Sequence, residues 1–232
     1  MKDYDFKADI TRQINDDLQR KSVSKSLLSK LDNLVKEFDF ENIYTSFEVC
    51  PDNYIGKING EKFISAENRY KAYINGEKNL TFGKDNEENI VVILESPHKD
   101  EYRKKLIAPA LGETGDRLNA YLEKLLTNSL IARDGAQLFL INAIQYQCSL
   151  GFPTDCVRSY IFNYLFDQDK FKKDLKERID IQNPKTIVIA TTSFCRDKIK
   201  KWILKEYKDI PIYETDSHPS VWTMNTKIKE CN

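Results

Sequence analysis

Continuous apolar runs alternate with amphipathic stretches after residue 88. The runs are NIVVILE (89–95), AQLFLINAI (136–144), KTIVIAT (185–191) and the shorter DIPIYETD (209–216). Runs of this kind are typical of strands that are buried on both faces of a parallel sheet. We therefore predict four strands over these ranges.

Segments with helical spacing of apolar residues separate these strands. They cover residues 115–131, most of 159–182, and 193–207. Helices between buried strands predict β–α–β units, which place helices against the faces of a parallel sheet. The expected fold class is α/β, a three-layer α/β/α sandwich around a mainly parallel four-stranded sheet.

The first 88 residues have a different pattern. SVSKSLLSKLDNLVKEF (22–38) has apolar residues at helical spacing and predicts an amphipathic helix of about four turns. Two Asn-Gly pairs, beginning at Asn59 and Asn75, predict tight turns between short strands. We expect residues 1–88 to form a helical and hairpin extension that packs on a core domain of residues 89–232.

Composition narrows the functional classes. The chain has 232 residues, with 36 Lys and Arg against 36 Asp and Glu, which excludes a strongly basic nucleic-acid binder but not a local basic face. No apolar run reaches the roughly 18–20 residues that span a bilayer, and the N-terminus lacks the apolar core of a secretion signal. The five Cys form no C-x-x-C pair. We expect a cytoplasmic, monomeric protein with reduced thiols, no cofactor, no metal, no membrane association and no obligate protein partner.

Polar side chains follow each predicted strand. The carboxyl ends of parallel strands share one edge of a sheet, and ligands bind beyond that edge. Both His of the chain fall there. The residues are Glu95, Ser96, Pro97 and His98 after the first strand, Asn142 at the second, Thr192 and Ser193 after the third, and His218 and Ser220 after the fourth.

Taken singly, each of these residues is also compatible with a purely structural role. A carboxylate at a strand end can serve in local pairing, an Asn in a turn, and a hydroxyl as a helix cap. The sequence does not separate these explanations residue by residue. The prediction of a functional site depends on finding a carboxylate, an amide, hydroxyls and imidazoles together at one edge of the sheet.

The order of the motifs resembles the uracil-DNA glycosylase superfamily. The segments that carry the resemblance are VVILESPH, APALGETGDRLNAYLEKLL, LFLINAIQY, NPKTIVIATTSF and SHPSVW, over roughly residues 89–222. Their layout is closest to the iron–sulfur branch, but the cysteines of the cluster are absent, so no cluster is implied. The resemblance implies a glycosylase that flips a base out of DNA and cleaves its N-glycosidic bond.

The resemblance also implies roles for individual residues. Glu95 matches an acidic catalytic position, His218 matches the imidazole beside the base carbonyl, and Asn142 matches the amide that reads the base edge. The contacts to DNA phosphate fall on Ser96, Pro97, His98, Thr192, Ser193 and Ser220. The wedge that fills the vacated base stack falls on Val221 or Trp222, with Met224 as a further candidate.

One departure from the family bears on the substrate. The ring that stacks on the flipped base is replaced here by Ala110 and Leu111. We expect Tyr102 or Tyr146 to stack on the base instead, and the wider pocket favours a modified pyrimidine as much as uracil. The setting is then base-excision repair or defence against phage DNA with modified bases.

Two other functional classes remain open at this point. The chain is alternatively a non-catalytic module that binds nucleic acid or protein on the same fold, or an N-glycosidase of free nucleosides or nucleotides. Base release from modified DNA discriminates among the three.

Overall fold

The computed structural model describes residues 5, 8–10, 12–13, 16, 48–59, 62–65, 88–102, 107–110, 112–128, 131, 134–148 and 155–231. The helix predicted over 22–38, the turn predicted at Asn75, and Leu111 lie outside these residues.

One seven-stranded sheet organises the described chain. Its spatial order is β2-β1-β4-β3-β5-β6-β7. The strands are β1 (Asn53–Asn59), β2 (Lys62–Ser65), β3 (Asn89–Leu94), β4 (Gln137–Asn142), β5 (Thr186–Ile189), β6 (Ile212–Thr215) and β7 (Ile228–Glu230).

The centre of this sheet is parallel. β3 pairs with β4 on one side and β5 on the other, and β5 pairs with β6, all in parallel. These are the four strands that the apolar runs predict, so the α/β fold class is confirmed. The carboxyl ends of the four strands therefore lie at one edge.

The expectation of a four-stranded, mainly parallel sheet is corrected at both sides. β1 pairs antiparallel with β4 and with β2, and β7 pairs antiparallel with β6. The β1–β2 pairing, with Asn59 opposite Lys62, agrees with the tight turn predicted after Asn59. Residues 53–65 thus extend the same sheet as the strands of residues 89–232.

Helices lie between the parallel strands. Within the described residues they are α1 (Glu113–Asn128), α2 (Asp155–Asp167), α3 (Asp169–Ile181) and α4 (Ser193–Glu206), with short 3₁₀ turns at Lys99–Tyr102 and Pro219–Val221. The single helix predicted over most of 159–182 is two helices that meet at Gln168. None of the described helices has the length and apolar character needed to cross a bilayer.

Two hydrophobic clusters hold the helices against the sheet. Along β3, Val91 and Ile93 belong to the cluster that contains buried residues of α2, α3 and α4. Val92 and Leu94, which point to the other face, join the cluster that contains residues of α1 and the buried Trp222. Each large apolar side chain buried this way contributes roughly 1.5–3 kcal/mol. Successive side chains of β3 thus pack against helices on opposite faces of the sheet.

Candidate functional site

A cavity of about 290 Å³ opens at the edge where the parallel strands end. Its wall is formed by the segments that follow β3, β5 and β6, by the start of α1, and by one side chain of α2. Six of the residues predicted from the sequence line this cavity: Ser96, Pro97, His98, Thr192, His218 and Ser220. The strand ends therefore bring together residues that are more than 120 positions apart in the chain.

Glu95 is fully buried next to the cavity and carries an ion pair. Arg158 of α2 donates from Nε to Oε1 and from Nη2 to Oε2, each at 2.5 Å. The Thr192 hydroxyl donates to Oε2, and the Ser96 hydroxyl lies 3.5 Å from Oε1. Each carboxylate oxygen therefore has two donor contacts, and the three residues that supply them, Arg158, Thr192 and Ser96, line the cavity.

Arg158 is a site residue that the sequence analysis does not identify. Its side chain is 27% exposed and lines the cavity, and its guanidinium also lies 5.3 Å from the centre of the Phe194 ring. A guanidinium has five N–H donors, so two bonds to Glu95 leave others for a ligand. Arg158 is the one basic residue in the segment that forms α2, a signal that separates it from the surrounding aromatic residues.

His218 has a defined tautomer. The backbone N–H of Ser220 donates to Nδ1 at 3.2 Å, and the Ser220 hydroxyl lies 2.9 Å from the same atom. Because Nδ1 accepts, the neutral ring carries its proton on Nε2. Burial, together with the positive charge of Arg158, lowers the pKa of His218 to about 4. The imidazole is thus a neutral N–H donor at physiological pH.

His98 stands at the mouth of the same cavity. Its Nδ1 lies 3.2 Å from the Asp100 carboxylate, and its side chain is 50% exposed. Partial burial lowers the pKa of His98, and the Asp100 carboxylate opposes that shift. This exposed imidazole suits a contact to a ligand outside the cavity.

Asn142 stands at the carboxyl end of β4, and its hydrogen-bond partners lie outside the cavity wall. Its amide nitrogen donates to the Cys50 sulfur at 3.8 Å, and its amide oxygen has no hydrogen-bond partner among the described residues. Arg178 donates to its backbone carbonyl at 3.0 Å. Asn142 is buried and is not among the residues that line the cavity.

Glu101 is the second site residue that the sequence analysis misses. It lines the cavity, is 5% exposed, and accepts a 3.0 Å hydrogen bond from the backbone N–H of Ala110. The Cys50 thiol donates to its other oxygen at 3.7 Å. Burial raises the pKa of Glu101 to about 7, although the Ala110 and Cys50 hydrogen bonds lower it in part. In the sequence Glu101 stands in the charged run KDEYRKK. The composition of this run is typical of a solvent-exposed segment, so it does not indicate a buried carboxyl group.

The aromatic candidates lie away from the cavity wall. Tyr146 is buried in the core and packs edge-on against Phe171, with ring centroids 6.2 Å apart. The Tyr102 hydroxyl donates to the Glu48 carbonyl at 3.2 Å. Both rings are thus committed to packing or local hydrogen bonds in this structure, in contrast to the stacking role expected for one of them.

The wedge candidates separate clearly by exposure. Trp222 is fully buried, and its Nε1 donates to the Ser217 carbonyl at 3.0 Å, so this side chain belongs to the core rather than to a protruding loop. Val221 is 60% exposed and Met224 is 65% exposed. Among these three residues, Val221 and Met224 are the apolar side chains available for insertion.

At the start of α4, the N-cap hydroxyl bonds to Glu95 rather than to the helix backbone. Thr192 stands at the N-cap position, but its hydroxyl does not cap the helix because it bonds to Glu95. Ser193 follows as the first helical residue and is exposed. Of the two hydroxyls predicted to contact phosphate, Thr192 lines the cavity, whereas Ser193 is not among its lining residues.

No group of three or more His, Cys, Asp or Glu side chains converges as a metal site within the described part of the chain. The sequence matches no protein-family model, and no curated protein matches it significantly.

Proposed function

We propose that this protein is a DNA glycosylase that hydrolyses the N-glycosidic bond of a flipped-out uracil or modified pyrimidine and leaves an abasic site. Base-excision repair and defence against phage DNA are its two candidate settings. The observation that carries the proposal is that His218, whose Nδ1 accepts from the Ser220 N–H, lines a cavity of about 290 Å³ together with Arg158. That volume is near the lower end of the roughly 300–1,000 Å³ of small-molecule pockets and suits a single base.

The chemistry of the reaction fits these two side chains. Water attacks the anomeric carbon as the N-glycosidic bond breaks, so positive charge develops on the sugar and negative charge on the departing base, and the proton that the water releases neutralises that base through solvent. The Nε2–H of His218 can donate to a base oxygen as that charge grows, and one such donor in a dry site contributes about 3–4 kcal/mol. A neutral imidazole suits this role because it keeps its Nε2–H at physiological pH and can donate that hydrogen bond to the base oxygen.

Glu95 acts in this proposal as a positioning residue. Its carboxylate holds Arg158 by two N–H groups and Thr192 by its hydroxyl, so both cavity-facing groups have fixed directions. The remaining N–H groups of Arg158 then bind the departing base or a backbone phosphate. This assignment differs from the direct catalytic role that the family resemblance implies for Glu95.

The surrounding groups suit a nucleic-acid backbone. Gly112, Glu113 and Thr114, at the start of α1, line the cavity, and the N-terminus of a helix attracts anions. His98 adds a half-exposed imidazole along the same wall. The resemblance to the uracil-DNA glycosylase superfamily and the helices on both faces of the sheet support the same fold, a three-layer α/β/α sandwich.

Mass spectrometry of released bases tests the proposal. The protein is incubated with genomic and phage DNA, and with single-stranded and duplex oligonucleotides that carry uracil or 5-substituted pyrimidines. We expect free base and an equal amount of alkali-labile abasic sites. His218→Ala is expected to lower the rate about a hundredfold or more. The control Lys173→Ala, on the exposed side of α3, is expected to retain the wild-type rate.

Two companion assays, duplex binding and incubation with free nucleosides and nucleotides, identify the alternatives. Duplex binding without base release from any DNA indicates a binding module. Base release from free nucleosides or nucleotides, but not from DNA, indicates an N-glycosidase of metabolites. A His218→Ala variant with wild-type turnover contradicts the mechanism even if DNA is the substrate.

A further inference from the structure

Glu101 lines the cavity, and its carboxyl group, which the proposed mechanism does not use, is held in place by two hydrogen bonds. The Ala110 N–H holds Oε1 at 3.0 Å and the Cys50 thiol approaches Oε2 at 3.7 Å. Ala110 adopts φ 59°, in the left-handed region that non-glycine residues rarely occupy. Backbone strain of this kind is concentrated at functional sites. Here it belongs to the residue whose N–H fixes the orientation of Glu101.

Asn142 is linked to Glu101 through Cys50. Asn142 donates to the Cys50 sulfur at 3.8 Å, and Cys50 in turn donates to Glu101. Of these three residues, Glu101 is the one that lines the cavity. The amide expected to read the base edge is therefore absent from the cavity wall, whereas the carboxyl-bearing Glu101 is part of it.

We propose that Glu101 selects a base with an exocyclic amino group on its pairing edge, a cytosine-type pyrimidine, over a uracil-type base. This inference rests on the proposed glycosylase function. Carboxylates accept hydrogen bonds from the N4 amino group of cytosine. The O4 carbonyl at the same place in uracil has no proton to give, so an ionised Glu101 repels it. A protonated Glu101 can instead donate to O4.

The two protonation states of Glu101 predict a pH-dependent preference. Burial raises its pKa to about 7, so the acid form prevails below that pH and the carboxylate above it. An amino-bearing base finds an acceptor oxygen in either form, whereas a carbonyl-bearing base needs the acid form. The ratio of cytosine-type to uracil-type excision should therefore rise with pH through about 7. The titratable or charged groups around Glu101 are His98, Asp100 and Tyr102 on its own turn, Cys50 and Asp52 before β1, and Arg158 and His218 on the cavity wall.

Matched substrates isolate this effect. 5-Hydroxymethylcytosine and 5-hydroxymethyluracil differ on the pairing edge and have the same substituent at C5. We expect wild-type protein to favour the cytosine-type base about tenfold or more at pH 8, and less at pH 6. Glu101→Gln keeps the shape and the Ala110 hydrogen bond, but its amide offers a donor and an acceptor at every pH. Its preference should fall to about threefold or less and stay constant with pH.

Glu177→Gln is the matched control, since it removes a carboxylate from an exposed position of α3. It should retain the wild-type ratio and its pH dependence. A wild-type ratio that is constant from pH 6 to pH 8 overturns the inference, and this holds even if Glu101→Gln does not fold. An unchanged ratio in folded Glu101→Gln overturns it as well.

A binding measurement separates this inference from the proposed function. Free cytosine and free uracil are titrated into the protein at pH 8 and followed by ligand-observed NMR. Tighter binding of cytosine, lost in Glu101→Gln, supports the role of Glu101 even if no DNA loses a base. Equal binding of the two bases in wild type refutes that role, even if base release from DNA is confirmed.

Discussion

The pair of Glu95 and Arg158 places two opposite charges next to the cavity. Glu95 has no exposed surface, so its carboxylate depends on Arg158 for charge compensation. Removing one partner of a buried ion pair costs roughly 3–5 kcal/mol, because the remaining charge stays buried. Arg158 keeps 27% of its side-chain surface exposed, which places the expected cost near the lower end of that range.

Arg158→Met is therefore expected to lower the free energy of unfolding by about 3 kcal/mol. The double variant Glu95→Gln/Arg158→Met should be more stable than Arg158→Met alone, since the buried charge has also been removed. Urea unfolding of wild type, both single variants and the double variant measures the coupling between the two residues. Strictly additive losses would show that the pair does not act as a unit.

His218 makes a second prediction at the level of a single residue. Its pKa is about 4 in the folded protein, against about 6.5 in an unfolded chain. The unfolded state therefore binds a proton first as the pH falls, and the folded state loses stability between about pH 6.5 and pH 4. The loss from this one group amounts to about 3 kcal/mol and levels off below pH 4.

The difference in unfolding free energy between wild type and His218→Gln isolates this group. We expect the stability of wild type relative to the variant to fall by about 3 kcal/mol between pH 6.5 and pH 4, and to be constant above pH 7. Asp52, His98 and Glu101 titrate in both proteins, so their contributions largely cancel. A difference that does not change with pH contradicts a buried, neutral His218.

The strand ends predict several of the residues that line the cavity, but not all of them and not what each side chain contacts. His218 and Thr192 could be placed because each follows a parallel strand. The Glu95–Arg158 contact spans 63 positions between a strand end and a helix, and no local pattern encodes it. The direction of the Asn142 amide depends likewise on Cys50, which lies in a segment with no periodic signal.

At the level of elements, the end of α3 shows how a short signal terminates a helix. Asn183 adopts φ 45°, and Pro184 follows it. Left-handed backbone is common for Gly and tolerated by Asn, whereas other side chains meet a steric cost of roughly 1–2 kcal/mol. Proline then prevents the helix from continuing.

Substitutions at Asn183 test this termination. Asn183→Val should destabilise the protein by about 1–2 kcal/mol, since a β-branched side chain fits the left-handed region poorly. Asn183→Gly should be neutral or slightly stabilising. Asn183 is exposed, so lost packing does not complicate the comparison. Chemical denaturation of both variants measures the difference, and equal stabilities would argue against strain at this position.

Strands and helices are predicted correctly where burial requires a long run or a regular spacing of apolar residues. β3 is buried at all six positions and its apolar run is unmistakable. β7 has three residues, of which Lys229 and Glu230 are exposed, so its sequence carries no strand signal. The sequence carries no signal for the break at Gln168, because the apolar spacing of α2 continues into α3 and Phe166 and Phe171 join the same cluster.

At the scale of the whole molecule, the zero net charge means that the proposed DNA binding depends on local surface features. The exposed Val221 and Met224 flank the buried Trp222, and the segment follows the cavity-lining His218. Lys124 of α1 lies 3.5 Å from the Met224 sulfur, which brings a positive charge to this surface. An apolar tip beside a cation suits a loop that enters a base stack while the adjacent phosphate is neutralised.

The double variant Val221→Ala/Met224→Ala tests whether this loop fills the space left by a flipped base. Unstacking a base costs a few kcal/mol in a duplex and little in a single strand, so a wedge matters mainly for duplex substrates. We expect single-turnover excision to fall roughly tenfold to a hundredfold on duplex DNA, and less than about threefold on the same sequence as a single strand. Both side chains are largely exposed, so the unfolding free energy should change little. Equal losses on the two substrates would instead indicate that the loop contacts the base or sugar directly, and unchanged rates on both would exclude it from the DNA interface.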